Sequence, residues 1–321
     1  MAFDYNDNIP TLDLSDFTNG STDQKQQFVA DLGEIYSEIG FVAITNHGYT
    51  SDRQTNLYNA VQQFFELPDA TKLEYDGSFC GGQRGYTGKG KEHAAGRSTG
   101  DLKEFFHVGK HLPLNKSAHY QKNIFPKEIP AFEEETSYCY KKLEHIGGEI
   151  LSAISLYLGL SANHFVNKVD KGISILRPIH YFPILDLKNV PDDAVRAAEH
   201  GDINLITLLM GASADGLQVQ RRDGRWISVT SAKDSLVVNV GDMLERYTNG
   251  KLKSTIHRVV NPPKEKLGTS RYSIPFFMHA NPTMPLNCLK ECISEETPKK
   301  YEDITAEEFL MERLRAIGLI K

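Results

Sequence analysis

The chain has 321 residues, 40% of them hydrophobic and 24% charged, enough to bury a sizeable core as one large domain or two intimate ones. A net charge of -6 argues against a nucleic-acid partner, whose footprint is a strongly basic face. No apolar run approaches the roughly 18 residues of a membrane span, and Met1-Ala2-Phe3-Asp4-Tyr5-Asn6-Asp7 lacks the basic and apolar regions of a signal peptide, so no membrane partner and a cytoplasmic location are expected.

In chain order, Ile9 to Leu14 alternates in part between apolar and polar residues, which predicts a short strand. Residues 24–39 have helical spacing, with Phe28, Leu32, Ile35 and Tyr36 on one face. Gly40-Phe41-Val42-Ala43-Ile44 reads as a buried strand closed by Asn46-His47-Gly48. Residues 52–65 form a second helix with Leu57, Val61 and Phe64 as its stripe, stopped by Pro68. The glycine-rich stretch from Gly77 to Gly100 reads as a long loop, the kind of segment that serves as a lid. Residues 130–158 predict a long helix, weakened at Gly147-Gly148.

Beyond residue 170 the pattern changes to short β-rich runs at 173–177, 203–210, 216–220, 235–240, 254–260 and 271–278, which suggests a sandwich or barrel. A last helix is expected over 305–317. The four cysteines, Cys80, Cys139, Cys288 and Cys292, form no C-x-x-C pair and are expected to be reduced thiols. His93, His107, His111 and His119 lie in loop-rich sequence without ligand spacing.

The central segment is Glu199-His200-Gly201-Asp202-Ile203-Asn204-Leu205. On a strand, residues two apart face the same side, so His200 and Asp202 would point at one ion together. An imidazole with a carboxylate suits iron(II), and His257, in Ser254-Thr255-Ile256-His257-Arg258-Val259, would complete a 2-His-1-carboxylate facial triad. Three ligands on one face leave three positions open, which an oxygenase needs for co-substrate and dioxygen. An H-x-D pair alone is weak, and its context decides.

That context resembles the isopenicillin N synthase-like family of iron(II)/2-oxoglutarate-dependent dioxygenases over nearly the whole chain. The matching stretches include Ile9-Pro10-Thr11-Leu12-Asp13-Leu14, Phe64-Phe65-Glu66-Leu67-Pro68, Arg84-Gly85-Tyr86, Gly216-Leu217-Gln218-Val219, Val238-Asn239-Val240-Gly241-Asp242 and Ser270-Arg271-Tyr272-Ser273-Ile274-Pro275. The resemblance implies a mixed α and β chain: a double-stranded β-helix (jelly-roll) core with a helical N-terminal part. It divides the chain into an N-terminal region (1–170), the oxygenase domain (171–280) and a C-terminal helical extension (281–321). It implies bound Fe(II), 2-oxoglutarate as co-substrate, and ascorbate as a stimulant.

In this family an R-x-S pair anchors the far carboxylate of 2-oxoglutarate, and the matching residues are Arg271 and Ser273. A guanidinium fork matches a carboxylate, and a hydroxyl on the same strand face adds a hydrogen bond. Tyr181 falls where the family places a tyrosine near the co-substrate, while its neighbour His180 would point the other way and read as structural. Arg84, Tyr86, Lys103 and Phe105 are substrate-pocket candidates, since the family covers its active site with this region. The implied reaction converts 2-oxoglutarate and dioxygen to succinate and carbon dioxide while a small-molecule substrate is hydroxylated or desaturated. The presence of Asp202 argues against halogenation, because related halogenases carry a small residue there. The alternatives are an isopenicillin N synthase-type oxidase or cyclase that does not use 2-oxoglutarate, and a non-catalytic binding protein on the same fold. The substrate's identity and the oligomeric state stay open.

Overall fold

The computed structural model of the chain describes residues 3, 5, 8–91, 103–111, 121–183, 196–211, 216–230, 234–261, 265 and 267–316. The N-terminal part opens with β1 (Thr11–Asp13), α1 (Leu14–Thr18), α2 (Thr22–Glu38), β2 (Phe41–Thr45), α3 (Ser51–Phe65) and α4 (Asp69–Leu73). Then come β3 (Gly85–Thr87), β4 (Lys103–Gly109), α5 (Pro130–Tyr157) and α6 (Val166–Val169). The remainder holds β5 (Ile175–Leu176), β6 (Ile179–Tyr181), β7 (Ala197–His200), β8 (Ile206–Met210), β9 (Leu217–Gln220), β10 (Trp226–Ser228), β11 (Leu236–Val240), α7 (Asp242–Tyr247), β12 (His257–Val259), β13 (Arg271–Met278) and α8 (Ala306–Ala316).

Local chemistry sets several boundaries. Ser21 and Gln24 form a reciprocal capping box that starts α2, whose buried face is Phe28, Leu32, Ile35 and Tyr36. The strand expected over residues 9–14 is shorter, because the Asp13 carboxylate accepts from the Ser15 N–H at 2.8 Å and Leu14 already begins α1. Pro68 is not the stop of α3, which ends at Phe65; it opens α4 instead. Helix α5 runs through Gly147-Gly148 unbroken. A Cβ on Gly147 would sit 2.5 Å from Met278 Sδ, so this glycine lets α5 lie close against β13. Part of the expected glycine-rich loop is ordered structure: a 3-10 turn at Gly77–Cys80 and then β3, paired antiparallel with β4. The rest of the expected lid, residues 92–100, lies outside the described residues.

The core is a jelly roll of two sheets. Among the described residues, the larger has nine strands in the order β1-β2-β11-β8-β13-β5-β4-β3, with β6 joining β13 and β4; the smaller runs β10-β9-β12-β7. Periodicity does not predict strands β3, β4, β6, β7 and β10, which are short or divided between apolar and polar residues. Helices α2, α3 and α5 pack together, with α5 also against β4, β8 and β13. The four cysteines are free thiols. No described helix is long and apolar enough to cross a membrane.

Candidate active site

His200 ends β7 and His257 opens β12, and the two are direct partners across the antiparallel ladder. Their ring centroids lie 4.3 Å apart. Asp202 is not on the strand, contrary to the alternation argument: β7 ends at His200, and Asp202 lies in the connection to β8. It is placed by tertiary bonds instead. Its main-chain oxygen accepts from the Asp242 N–H at 2.7 Å. Its Oδ2 accepts from Thr207 Oγ1 at 2.6 Å and from Asn239 Nδ2 at 2.8 Å, which leaves Oδ1 turned towards the histidines. Oδ1 lies 4.0 Å from His200 Nε2 and 3.8 Å from His257 Nε2.

Each imidazole is oriented by its own backbone. His200 Nδ1 meets Ala198 O at 2.7 Å and His257 Nδ1 meets Thr255 O at 3.2 Å. A carbonyl only accepts, so each Nδ1 carries the proton and each Nε2 presents a lone pair. Phe41 packs edge-on against His257, with centroids 5.3 Å apart. The His200 side chain keeps 41% of its surface exposed; partial desolvation and then the adjacent His257 lower its imidazole below the ordinary range, so it is neutral and ready to bind a metal. Burial alone would raise the Asp202 carboxyl; the two histidines and the bonds from Asn239 and Thr207 outweigh it and hold the group below the usual carboxylate range. One donor atom from each of the three lies within 4.8 Å of the others. Two neutral imidazoles and a carboxylate converging in this way fit iron(II) in a facial triad.

These residues border a cavity of about 370 Å³. Strand β13 supplies its opposite wall through alternate residues, Arg271, Ser273, Pro275 and Phe277, continued by His279 beyond the strand end. Tyr181 on β6 is the direct partner of Arg271. The Arg271 guanidinium carbon lies 5.0 Å from the Tyr181 ring centroid, and Arg271 is 1% exposed. The structure thus brings His200, Asp202, His257, Arg271, Ser273 and Tyr181 to one cavity.

The substrate candidates divide. Lys103, the partner of Tyr181 on β4, lines the cavity. Phe105 instead stacks behind Arg177, at 4.5 Å from its guanidinium carbon. Arg84 and Tyr86 do not line the cavity. Arg84 turns inward against Gly109 and donates to Gln83 O at 2.6 Å. Tyr86 donates to Glu104 Oε2 at 2.6 Å in a buried network in which Glu104 also meets Lys72 Nζ at 2.8 Å and His180 Nδ1 at 2.7 Å. His180 therefore faces away from the cavity, as its strand parity predicts.

Sequence reasoning missed several residues. Thr207 and Asn239 hold Asp202, and the signal was available: Asn239 is a polar residue inside the apolar run Leu236-Val237-Val238-Asn239-Val240. Arg177 and His279 line the cavity, as does His107, which is on β4 rather than in a loop. Leu310, Arg313 and Leu314 of α8 also border it, which no local pattern announced.

The fold and the triad define a class, and sequence comparison agrees with it. Residues 9–130 match the family model described as non-haem dioxygenase in morphine synthesis N-terminal, and residues 174–280 match the 2OG-Fe(II) oxygenase superfamily. A solved structure assigned to the 2OG-Fe(II) oxygenase family, from Caulobacter crescentus, is 42% identical, with a TM-score of 0.86 over 96% of this chain and 98% of that one. A full-length Neurospora crassa protein, solved in complex with alpha-KG and thymine, is 30% identical, with a TM-score of 0.87 over 98% of each chain. The 2-oxoglutarate-Fe(II) type oxidoreductase ppzD of Metarhizium majus is 29% identical over 95% of this chain and 94% of its own length. The chain belongs to the 2OG-Fe(II) oxygenase superfamily, and it is an iron(II)- and 2-oxoglutarate-dependent oxygenase.

Proposed function

We propose that this oxygenase hydroxylates or desaturates its small-molecule substrate, with His200, Asp202 and His257 holding iron(II) and with Arg271, Ser273 and Tyr181 receiving the far carboxylate of 2-oxoglutarate. The carrying observation is that both groups of residues border one cavity, the two histidines from the smaller sheet and Arg271, Ser273 and Tyr181 from the larger. When bound, the iron and its co-substrate supply dioxygen activation. The chain's own contribution is positional. Nδ1 bonds fix the histidine tautomers, and Thr207 with Asn239 fixes which Asp202 oxygen faces the metal site. The buried Arg271 gives a planar fork for a carboxylate, with the Ser273 hydroxyl two residues along the same face. The division of the chain at about residues 170 and 280 is part of this reading, as is a cytoplasmic setting, which the free thiols support.

The test is a titration of 2-oxoglutarate into the anaerobic iron(II) protein, followed by its visible charge-transfer absorption. Arg271→Ala leaves the far carboxylate without its partner, at a cost of about 2–5 kcal/mol for a desolvated pair. The apparent constant should therefore rise on the order of 30-fold or more, with iron content unchanged. An unchanged titration in Arg271→Ala would mean that Arg271 serves another carboxylate.

A further inference from the structure

Beyond the groups already used, the cavity wall has a marked chemical character. Arg177 extends from the end of β5, where its N–H donates to Pro275 O at 2.9 Å. Its guanidinium carbon lies 4.5 Å from the Phe105 centroid and 5.1 Å from the Phe277 centroid. Its Nε donates to His107 Nε2 at 2.5 Å, and His107 Nδ1 is itself held by Gly82 O at 2.6 Å. Two aromatic faces and an anchored imidazole thus set the orientation of a cation that lines the cavity. Lys103 adds a second positive charge to the same lining. Among the described residues, the carboxylates bordering the cavity are Asp202, placed beside the two histidines, and Glu199, which meets Arg258 Nη1 at 2.9 Å.

His279 is the second observation. It borders the cavity, is 7% exposed, and its Nδ1 has no hydrogen-bond partner among the described residues. A buried polar atom left in this way costs stability unless a ligand satisfies it. Burial pushes this imidazole down to about 4, so it is a neutral group that offers a hydrogen bond and no charge. Ile175, Ile179, Leu209 and Phe277 add apolar surface to the same lining. A cavity of about 370 Å³ shared with 2-oxoglutarate leaves room for a small molecule only.

Taking the 2-oxoglutarate reading above as given, we propose that the substrate is a small carboxylic acid with an apolar body, bound through its carboxylate to Arg177. Lys103 adds to the field that draws the anion in, and His279 supplies a polar contact further along β13. Arg177 is a binding and specificity residue, distinct from the Arg271 that takes the co-substrate.

The experiment uses the wild-type protein loaded with iron(II) and 2-oxoglutarate under nitrogen. The probes are matched pairs of acid and primary amide: 3-phenylpropionate, cyclohexanecarboxylate, 4-methylbenzoate and octanoate. Binding is read by calorimetry, and in air the succinate released is measured beside it. Acids should bind more tightly than their amides by on the order of tenfold to a hundredfold, since a desolvated ionic partner is worth that much. Arg177→Met, which keeps an apolar stem between the two rings, should remove that preference; Arg177→Lys should keep part of it. The Lys variant carries the comparison should the Met variant not fold. A panel in which no acid outperforms its amide, silence included, overturns the assignment, and so does a preference that survives Arg177→Met. A separate 2-oxoglutarate titration of the wild type shows which reading has failed: no co-substrate binding sinks the parent reading, whereas normal binding beside indifference to charge sinks the carboxylate alone.

Discussion

Asn239→Ala tests how the carboxylate of the triad is held. The substitution removes the Asn239 Nδ2 to Asp202 Oδ2 bond of 2.8 Å and leaves the Thr207 bond of 2.6 Å in place. A hydrogen bond to a charged group contributes about 1.5–3 kcal/mol. If all of that reached the metal site, iron(II) affinity would fall by roughly 10- to 150-fold. Thr207 continues to orient the carboxylate, so the expected loss lies near the lower end, about 10- to 30-fold, within the usual range for partners of metal ligands. Thr207→Val should act similarly. The double variant should lose more than the sum of the two, because both bonds end on the same oxygen and only the pair releases it to rotate. The assay is competition for iron(II) against a chromophoric chelator under nitrogen, at a temperature where circular dichroism shows each variant folded. A folded Asn239→Ala protein that binds iron(II) as tightly as the wild type would refute the idea that this bond aims Oδ1.

The buried network around Glu104 should dominate acid stability. Burial would raise this carboxyl, but the bonds from His180, Lys72 and Tyr86 outweigh it and hold the group below its usual value. Its contribution is therefore present at neutral pH and is lost as pH falls below about 4. Glu104→Gln should cost about 3 kcal/mol at pH 7, the lower end for a broken buried pair, because Lys72 keeps only the exposed Asp69 carboxylate, at 3.0 Å, as its counter-charge, and melting curves of the two proteins should converge towards pH 3. Lys72→Met with Glu104→Gln should recover part of the loss; a double variant no better than Glu104→Gln would show that the ion pair is not the unit of stability. In α5, Gly147→Ala drives a methyl to within 2.5 Å of Met278 Sδ and should destabilise by about 1–3 kcal/mol in urea unfolding. Gly148→Ala meets open space and should stabilise by up to about 1 kcal/mol, so equal effects at the two glycines would remove the packing explanation for the close α5–β13 contact.

Much of this architecture follows from local pattern. The apolar stripes of α2 and α3, the buried run of β2 and the long apolar face of α5 were legible because a helix or strand repeats its environment along the chain, and its residues record that repeat. Strand alternation also placed Arg271 and Ser273 on one face and turned His180 away from Tyr181. The same rule misled at Asp202. A carboxylate two residues from His200 suggested a shared strand face, yet β7 stops at His200 and the carboxylate reaches the site through bonds from Thr207, Asn239 and Asp242.

Only the tertiary structure decided which residues surround His200, Asp202 and His257. Arg177 and His107 are 70 positions apart and bond to each other; Lys72 and Glu104 are 32 apart and pair in the interior; α8 returns from the far end of the chain to border the cavity. Arg84 and Tyr86 read as substrate residues by their place in the chain, but a Gly109 without a side chain admits the first and the Glu104 carboxylate captures the second. The physical reason is the same in each case. A ligand set and its strand leave a local trace of residue type and period, whereas a pocket wall is assembled from elements whose meeting is fixed by sheet order and helix packing, which no single stretch of sequence records.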